Sequence, residues 1–303
     1  MAQVAFKVIR AGQMTTLQDG GRHGYRSYGI PTSGFMDALS AQQANFIVGN
    51  PTRETLIEMI QVGATLEFLT SATIALTGAD MEAQLNGQSV RRFEAIAVNQ
   101  GDVLELGKTT KHMIGYLAIA GQWNIPKVLG STSTFLRANI GGVNGRQLQK
   151  GDIILLECKA TAKTQSLPEH QIRAFAPGRK IRLMETAESN PELSHWLDST
   201  AFTVTRQWDR MGIRLEGNTP SIQARHILSS PITVGTMQLP PDGQPIIVMS
   251  DGQTTGGYPR IATVIKADLP YLAQQPPGTP LHFTFVSTAQ AKQTNMWTLQ
   301  TIS

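Results

Sequence analysis

Short apolar runs, each closed by glycine, proline or an Asn-Gly-type pair, set the texture of this chain. Residues 1–10 read as a strand. The segments ATLEFL, ATIALTG, AIAVN, DVLELG and MIGYLAIAG follow, with alternation or β-branched content, and Asn86-Gly87 offers a two-residue hairpin turn. One helix is expected from about Asp37 to Val48, with Leu39, Phe46 and Ile47 on one face, Asp37 as N-cap and Gly49 as its end. Before it, Gly12 opens a long polar loop, TTLQDGGRHGYRSYGIPTSG, of a kind uncommon in compact domains unless it performs a function.

The stretch Lys159 to Lys180 is polar, Pro-containing and without periodicity, and part of it reads as an exposed linker. It separates an N-terminal β-rich domain, 1–165, from a C-terminal β-barrel domain, 178–303. The second half returns to strand-like segments: KIRLME, FTVTRQW, PITVGTMQL, PIIVMSDG, IATVIKA and LHFTFVS. A helix between the last two is expected to start at Asp268 as N-cap, because Pro270 is tolerated in a first turn and not deeper. VGATLEF followed by TGAD, and VGTMQL followed by SDG, align with one gap. This weak match fits either an internal repeat or common strand–turn usage. A true repeat implies two similar barrels meeting at a cleft. The class is mostly β, closed as a barrel or a strongly curled sheet, with a few short helices.

Composition narrows the field. With 303 residues, 41% of them apolar, two ordinary cores can be buried. The formal charge is +4, but its 26 basic residues are scattered and not interleaved with aromatics, so nucleic acid is not an expected partner. A lone cysteine, Cys158 in IILLEC, precludes an internal disulfide and a cysteine-based zinc cluster, and reads as an inert, half-buried thiol. The six histidines show no metal-ligand spacing, so no metal site is expected. The N-terminal segment lacks a signal peptide's apolar stretch, and no run is long enough to span a bilayer. A soluble, cytoplasmic protein without membrane association is the expectation.

The densest chemistry lies in Asp251-Gly252-Gln253-Thr254-Thr255-Gly256-Gly257-Tyr258-Pro259, at the end of the PIIVMS strand. Adjacent glycines can let backbone amides approach a ligand or form an anion nest. An ordinary hairpin loop is the competing reading, since Asp-Gly and Gly-Gly are standard turn pairs. A second cluster runs through Gln18, Asp19, Gly20, Gly21, Arg22 and His23. Arg22 suits an oxyanion, or an internal pair with Asp19 that pins the loop. A third, Trp208-Asp209-Arg210-Met211-Gly212, offers Arg210 as an anion anchor, with Asp209 as its alternative orienter. GSTSTF, Gly130 to Phe135, can line a polar pocket or cap a hairpin. There is no G-x-S-x-G elbow and no G-x-G-x-x-G opening a helix, which disfavours serine hydrolases of that class and dinucleotide cofactors.

The strings TTLQDGGRHGYRSYGIPTSGFMDALSAQQANFIVGN, LTGAD, YLAIAG, LGSTST, DRMGIRLEG and DGQTTGGYPRIATVIKADL together resemble the biotin-dependent carboxyltransferase family, over roughly residues 5 to 287. That family includes the larger carboxyltransferase half of urea amidolyase (allophanate hydrolase subunit 2), the KipI-antagonist-type proteins and the C subunit of bacterial 5-oxoprolinase. The resemblance implies cyclophilin-like barrels, two of them, and a smaller homologous partner of the allophanate hydrolase subunit 1 type. Standalone members of this length are most similar to the 5-oxoprolinase subunit. This implies ATP-dependent opening of 5-oxo-L-proline to L-glutamate, with a deacetylase-like subunit as well and little activity of the chain alone. A lactam is a poor electrophile, so ATP as co-substrate makes chemical sense. Two alternatives stay open: carboxyl transfer from carboxybiotin to urea or a related amide, with biotin then required, and a regulatory binding protein without turnover. Asp251, Gln253, Thr254, Thr255 and Tyr258 are the expected catalytic set, with Asp251 as orienter or general base. Arg210, Gln18, Asp19, Arg22, Gly256 and Gly257 are the expected substrate-binding set. The chain departs from the family at Gln122-Trp123 after Gly121, at Met184-Glu185-Thr186-Ala187, and in the segment ESNPELSHWLDSTAF.

Overall fold

The structure is a computed structural model describing residues 3–158, 165, 167, 178–219 and 227–300; side chains are described within 5–157, at 165 and 167, and within 178–219 and 227–294. It divides into two compact units. One comprises residues 1–23 and 33–173, the other 24–32 and 174–303. Most of Lys159 to Lys180, expected as linker, and the Cys158 side chain lie outside the described residues.

The first unit contains two sheets. A seven-stranded sheet runs, in spatial order, Gly121–Trp123, Ile153–Cys158, Gln3–Arg10, Thr65–Phe68, Val103–Glu105, Gln84–Leu85 and Gln88–Ser89. A five-stranded sheet runs Met14–Gln18, Leu56–Ile60, Ile114–Ile119, Ala72–Gly78 and Ala95–Val98. Alternate residues supply the core: Phe6 and Val8, Leu66 and Phe68, Ile154 and Leu156 are fully or almost fully buried. The expected Asn86-Gly87 turn is present. Both residues take positive φ, 51° and 77°, which gives a tight turn the right-handed strand twist needs.

Helix α1, Ala38–Ile47, forms where its caps predict. The Asp37 carboxylate accepts from the Ser40 amide at 3.0 Å and its hydroxyl at 2.6 Å, and Gly49 at φ 71° follows the last turn. The loop expected from Gly12 onward is corrected here. Met14–Gln18 is a strand, paired through its length with Leu56–Ile60. It escapes a periodicity reading because Thr15, Thr16 and Gln18 are buried alongside Leu17. Leu56–Ile60 also went unpredicted, and its central Glu58 is buried. Glu58 accepts from the Tyr116 hydroxyl at 2.9 Å and the Met36 amide at 2.9 Å. Burial, reinforced by Glu58 and Asp37, holds the Tyr116 phenol well above its ordinary range.

The second unit is built on one eight-stranded sheet. Its order is Pro280–Leu281, Phe202–Trp208, Gly212–Glu216, Ile246–Val248, Thr236–Gln238, Arg260–Val264, Ile181–Met184 and Phe283–Phe285. The two end strands are separated only by His282, so one extended segment supplies both edges and the sheet is a nearly closed barrel. Phe202 fills its core, with the Trp196 and Phe283 rings 5.2 and 5.5 Å away. Trp196 comes from α2, Pro191–Ser199, inside the unusual ESNPELSHWLDSTAF segment. Asn190 caps this helix by accepting from the Leu193 amide at 2.9 Å, and Leu193 and Leu197 are buried. Helix α3, Leu269–Ala273, begins at Asp268 as expected, but the Asp268 side chain does not cap it. Its buried carboxylate is taken by Arg182, through contacts of 2.6 and 2.9 Å, and by Arg179. A last helix, α4, covers Thr288–Gln300.

The weak internal repeat does not extend to pairing. The strands after Val62-Gly63 lie in different sheets, whereas those after Val234-Gly235 are hydrogen-bonded neighbours. Because Phe202 has no exposed surface and two edge-on ring partners, Phe202→Ala is expected to cost about 3–5 kcal/mol in urea unfolding.

Candidate functional site

The strand Ile246–Val248 carries the chain into Ser250 and Asp251, and its neighbour Gly212–Glu216 brings Arg210 alongside. Backbone bonds lock the junction: the Asp251 amide donates to the Arg210 carbonyl at 2.7 Å, and Met249 to Met211 at 2.9 Å. The side chains then meet as a fork. Arg210 Nε donates to Asp251 Oδ2 at 2.8 Å and Nη2 to Oδ1 at 3.1 Å, with residue exposures of 4% and 5%. Asp251, not Asp209, therefore orients Arg210. Asp209 accepts from the Met211 and Gly212 amides at 2.7 and 3.0 Å and closes the turn.

Two glycines of Asp251–Pro259, Gly252 and Gly256, serve close packing. Gly252, Gly256 and Gly257 are absent from the left-handed region, so the segment forms neither the anion nest nor the Gly-dependent turn expected of it. A Cβ on Gly252 would sit 2.3 Å from Val248 Cγ1, and one on Gly256 would sit 2.4 Å from Gln238 Nε2. Thr255–Gly256 instead pairs with Ser230–Pro231 as a short ribbon, and the Thr254 carbonyl accepts from Ile232 at 3.0 Å. Asp251 and Thr254 are buried, Gln253 and Thr255 exposed, and Gly256, Gly257 and Tyr258 half-buried. The reachable surface is thus one carboxamide, one hydroxyl and one phenol around a self-neutralised ion pair.

Gln18, Asp19 and Arg22 belong to the first unit and gather around GSTSTF. Asp19 accepts from the Ser131 and Ser133 hydroxyls at 2.6 Å each, and from the Thr132 and Gly21 amides at 2.9 Å each. Burial alone would push this carboxyl up, but the four donors outweigh it and hold it below its ordinary range. Arg22, fully buried, donates to the Val128 and Ser133 carbonyls at 3.0 and 2.9 Å. Gln18, also fully buried, donates to Thr134 O and to the Thr16 hydroxyl, each at 3.1 Å. Exposed His23 lies 2.5 Å from Arg53.

Sequence reasoning missed several residues that hold the segment. Gln238 bonds to both Gln253 and the Tyr258 carbonyl. Arg260 is gripped by Glu188, with Nε 2.7 Å from its carboxylate, and donates to the Pro231 carbonyl at 3.1 Å. That hydrogen bond from Arg260 outweighs partial burial and lowers the Glu188 pKa. Thr186 bonds the Arg260 carbonyl, and Ser189 the Ile261 carbonyl at 2.7 Å. Thr186 of the first departure with Glu188 and Ser189 of the second thus brace the strand leaving the site. Arg26, in the 24–32 stretch of the second unit, donates to the Ile232 carbonyl. The one local signal for these was the polar character of TAES between apolar strands.

A nearly closed β-barrel presenting a glycine-packed segment over a buried ion pair defines the architectural class. The chain matches the carboxyltransferase domain, subdomains A and B, over residues 28–285, and it belongs to that family. It is 38% identical over 291 residues to the C subunit of 5-oxoprolinase from Escherichia coli K12, spanning 94% of this chain and 92% of that one. It is 31% identical over 306 residues to urea amidolyase of Saccharomyces cerevisiae, spanning 93% of this chain and 17% of the yeast protein. The solved urea amidolyase of Kluyveromyces lactis superposes with a TM-score of 0.94 at 29% identity, over 100% of this chain and 20% of that chain. Among the described residues no helix is long and apolar enough to cross a membrane.

Two outcomes are expected. Asp251→Ala takes the carboxylate from a buried guanidinium and should cost about 3–5 kcal/mol, read by urea unfolding. The Asp19 contribution is complete above about pH 4, the unfolded carboxyl value, and is lost as pH falls through the lower folded value. Asp19→Asn should therefore cost roughly 1–3 kcal/mol at pH 7 and progressively less towards pH 3; an equal loss throughout contradicts this.

Proposed function

We propose that this chain is the C subunit of an ATP-dependent 5-oxoprolinase, opening 5-oxo-L-proline to L-glutamate together with a smaller homologous subunit and a deacetylase-like subunit. The observation that carries it is the near-full-length similarity to the C subunit of the Escherichia coli 5-oxoprolinase, extending over 92% of that relative. The chemistry of the segment supports the same reading. Gln253, Thr255 and Tyr258 offer neutral donors and acceptors, which suit a lactam amide. Arg210 and Asp251 act as a buried anchor that fixes the segment's backbone, so of the two roles expected for Asp251 the pairing supports the orienter. Thr254 is buried, and its carbonyl is held by the Ile232 amide. Gln18, Asp19 and Arg22 hold the GSTSTF loop and do so as buried supports.

ATP is consumed by the assembled complex in this reading. A triphosphate does not fit the exposed donor set of the segment, which is neutral, its buried guanidinium being paired with Asp251, and no step here runs through it. The second reading, carboxyl transfer to urea or a related amide, draws on the similarity to urea amidolyase and needs biotin on another chain.

The test is reconstitution of the three subunits and measurement of L-glutamate released from 5-oxo-L-proline with ATP. Turnover insensitive to avidin is expected, and Gln253→Ala or Thr255→Ala should lower it about tenfold or more. Avidin-sensitive carboxylation of urea, with no glutamate formed, replaces this reading by the second one.

A further inference from the structure

The polarity of one buried carboxamide decides which atom of Gln253 meets a ligand. Gln238 ends the strand Thr236–Gln238 with 1% of its surface exposed. Its Nε2 lies 3.5 Å from the Tyr258 carbonyl oxygen, and its Oε1 lies 3.3 Å from Gln253 Nε2. A carbonyl oxygen can only accept, so the amino end of Gln238 must face Tyr258. The oxygen of Gln238 is then the end facing Gln253, and it draws the amino group of Gln253 inward. This commits one of the two Gln253 N–H groups inward and turns the oxygen of the exposed carboxamide, an acceptor, away from Gln238 and towards a ligand. The backbone polarity of Tyr258 is thereby relayed through two side chains to the surface.

The surroundings are built for this relay. The pairing of Thr236–Gln238 with Arg260–Val264 skips Ile261, since Met237 opposes Ala262 and Gln238 opposes Arg260. The extra residue lies on Arg260–Val264, and the bulge bends that strand where it faces Gln238. The place a Cβ of Gly256 would take lies 2.4 Å from Gln238 Nε2, so Gly256 is glycine to leave room for the amide. The Leu239 amide, bonded to Pro259 O at 3.0 Å, ties the next residue to the segment's end.

We infer that Gln238 is a positioning residue that fixes Gln253 with its oxygen outward, so that the site selects ligands presenting an N–H donor, such as a lactam or other secondary amide, over isosteres with a ring oxygen. This rests on reading Asp251–Pro259 as the ligand site. Gln238→Met keeps volume but removes both bonds, leaving Gln253 free to turn over and accept either polarity. Gln238→Glu, when protonated, keeps one donor and one acceptor and preserves the relay.

Two measurements separate this inference from the proposed function. The first is NMR of the isolated chain, with the Gln253 side-chain NH2 assigned through Gln253→Glu. Its hydrogen exchange is expected to be slowed in the wild type and to accelerate about fivefold or more in Gln238→Met. Unchanged exchange overturns the relay whatever the substrate proves to be. The second is competition in the reconstituted complex between 5-oxo-L-proline and its γ-lactone analogue. The wild type is expected to prefer the lactam by roughly tenfold or more. Gln238→Met should narrow this to within about threefold without a matching fall in melting temperature, and Gln238→Glu should restore it. An undiminished preference in Gln238→Met also overturns the relay. Changed exchange in a complex that does not turn over the lactam leaves the relay standing and removes the lactam as substrate.

Discussion

The Arg210–Asp251 pair constrains everything around the candidate site. Taking two charges out of water costs several kcal/mol per ion, and only excellent geometry repays it. Here the geometry is supplied by the barrel. Adjacent strands deliver the two residues side by side, backbone bonds clamp the corners, and the guanidinium meets the carboxylate with two contacts. Once that pair is formed, Gly252 has no freedom. Val248, Met211 and Met249 occupy the space beside it, and the chain must leave along the ribbon with Ser230–Pro231. The site's shape thus follows from one electrostatic requirement.

The two units stabilise a buried aspartate next to a Gly-rich stretch by different means. Asp251 is matched by a full opposite charge. Asp19 is matched by two hydroxyls and two amides, none of them charged. The second solution ties Asp19 to acid, because protonation removes an acceptor that four donors were arranged to serve. It also explains why GSTSTF alternates hydroxyl residues. Ser131 and Ser133 turn to the same carboxylate oxygen, while Thr132 contributes its amide to the other oxygen and its hydroxyl to Thr55, 2.7 Å away.

Local patterns carried much of the fold. Alternating apolar residues marked the long strands, Asn86-Gly87 marked its turn, and Asp37 with Gly49 bracketed α1. What local pattern could not show was satisfaction at a distance. Met14–Gln18 looks like loop because its threonines and glutamine are polar, yet Thr15 donates to the Ala11 carbonyl and the Gln18 amino group to the Thr134 carbonyl. Asp268 has the position of a cap, but two arginines near residue 180 claim its carboxylate. At the site, the density of Gly, Thr and Gln in Asp251–Pro259 was visible, but the reason for its glycines was not. Gly252 and Gly256 make room for Val248 and Gln238, and neither they nor Gly257 adopt a left-handed turn. Gln238 itself lies in an unremarkable apolar strand, and only its contacts reveal what it does.

The 24–32 stretch has a consequence for how the molecule is made. Arg26 finds its acceptor 206 positions later, at Ile232. On a ribosome adding about 5–20 residues per second, that acceptor emerges on the order of ten to forty seconds after the arginine does. The earliest-made part of the second unit must wait for this partner while the rest of the first unit is synthesised. A protein expressed as two fragments split near residue 170 would therefore leave the later fragment without a piece that only its predecessor carries. The order of segments along the chain, and not only their content, therefore matters to this unit.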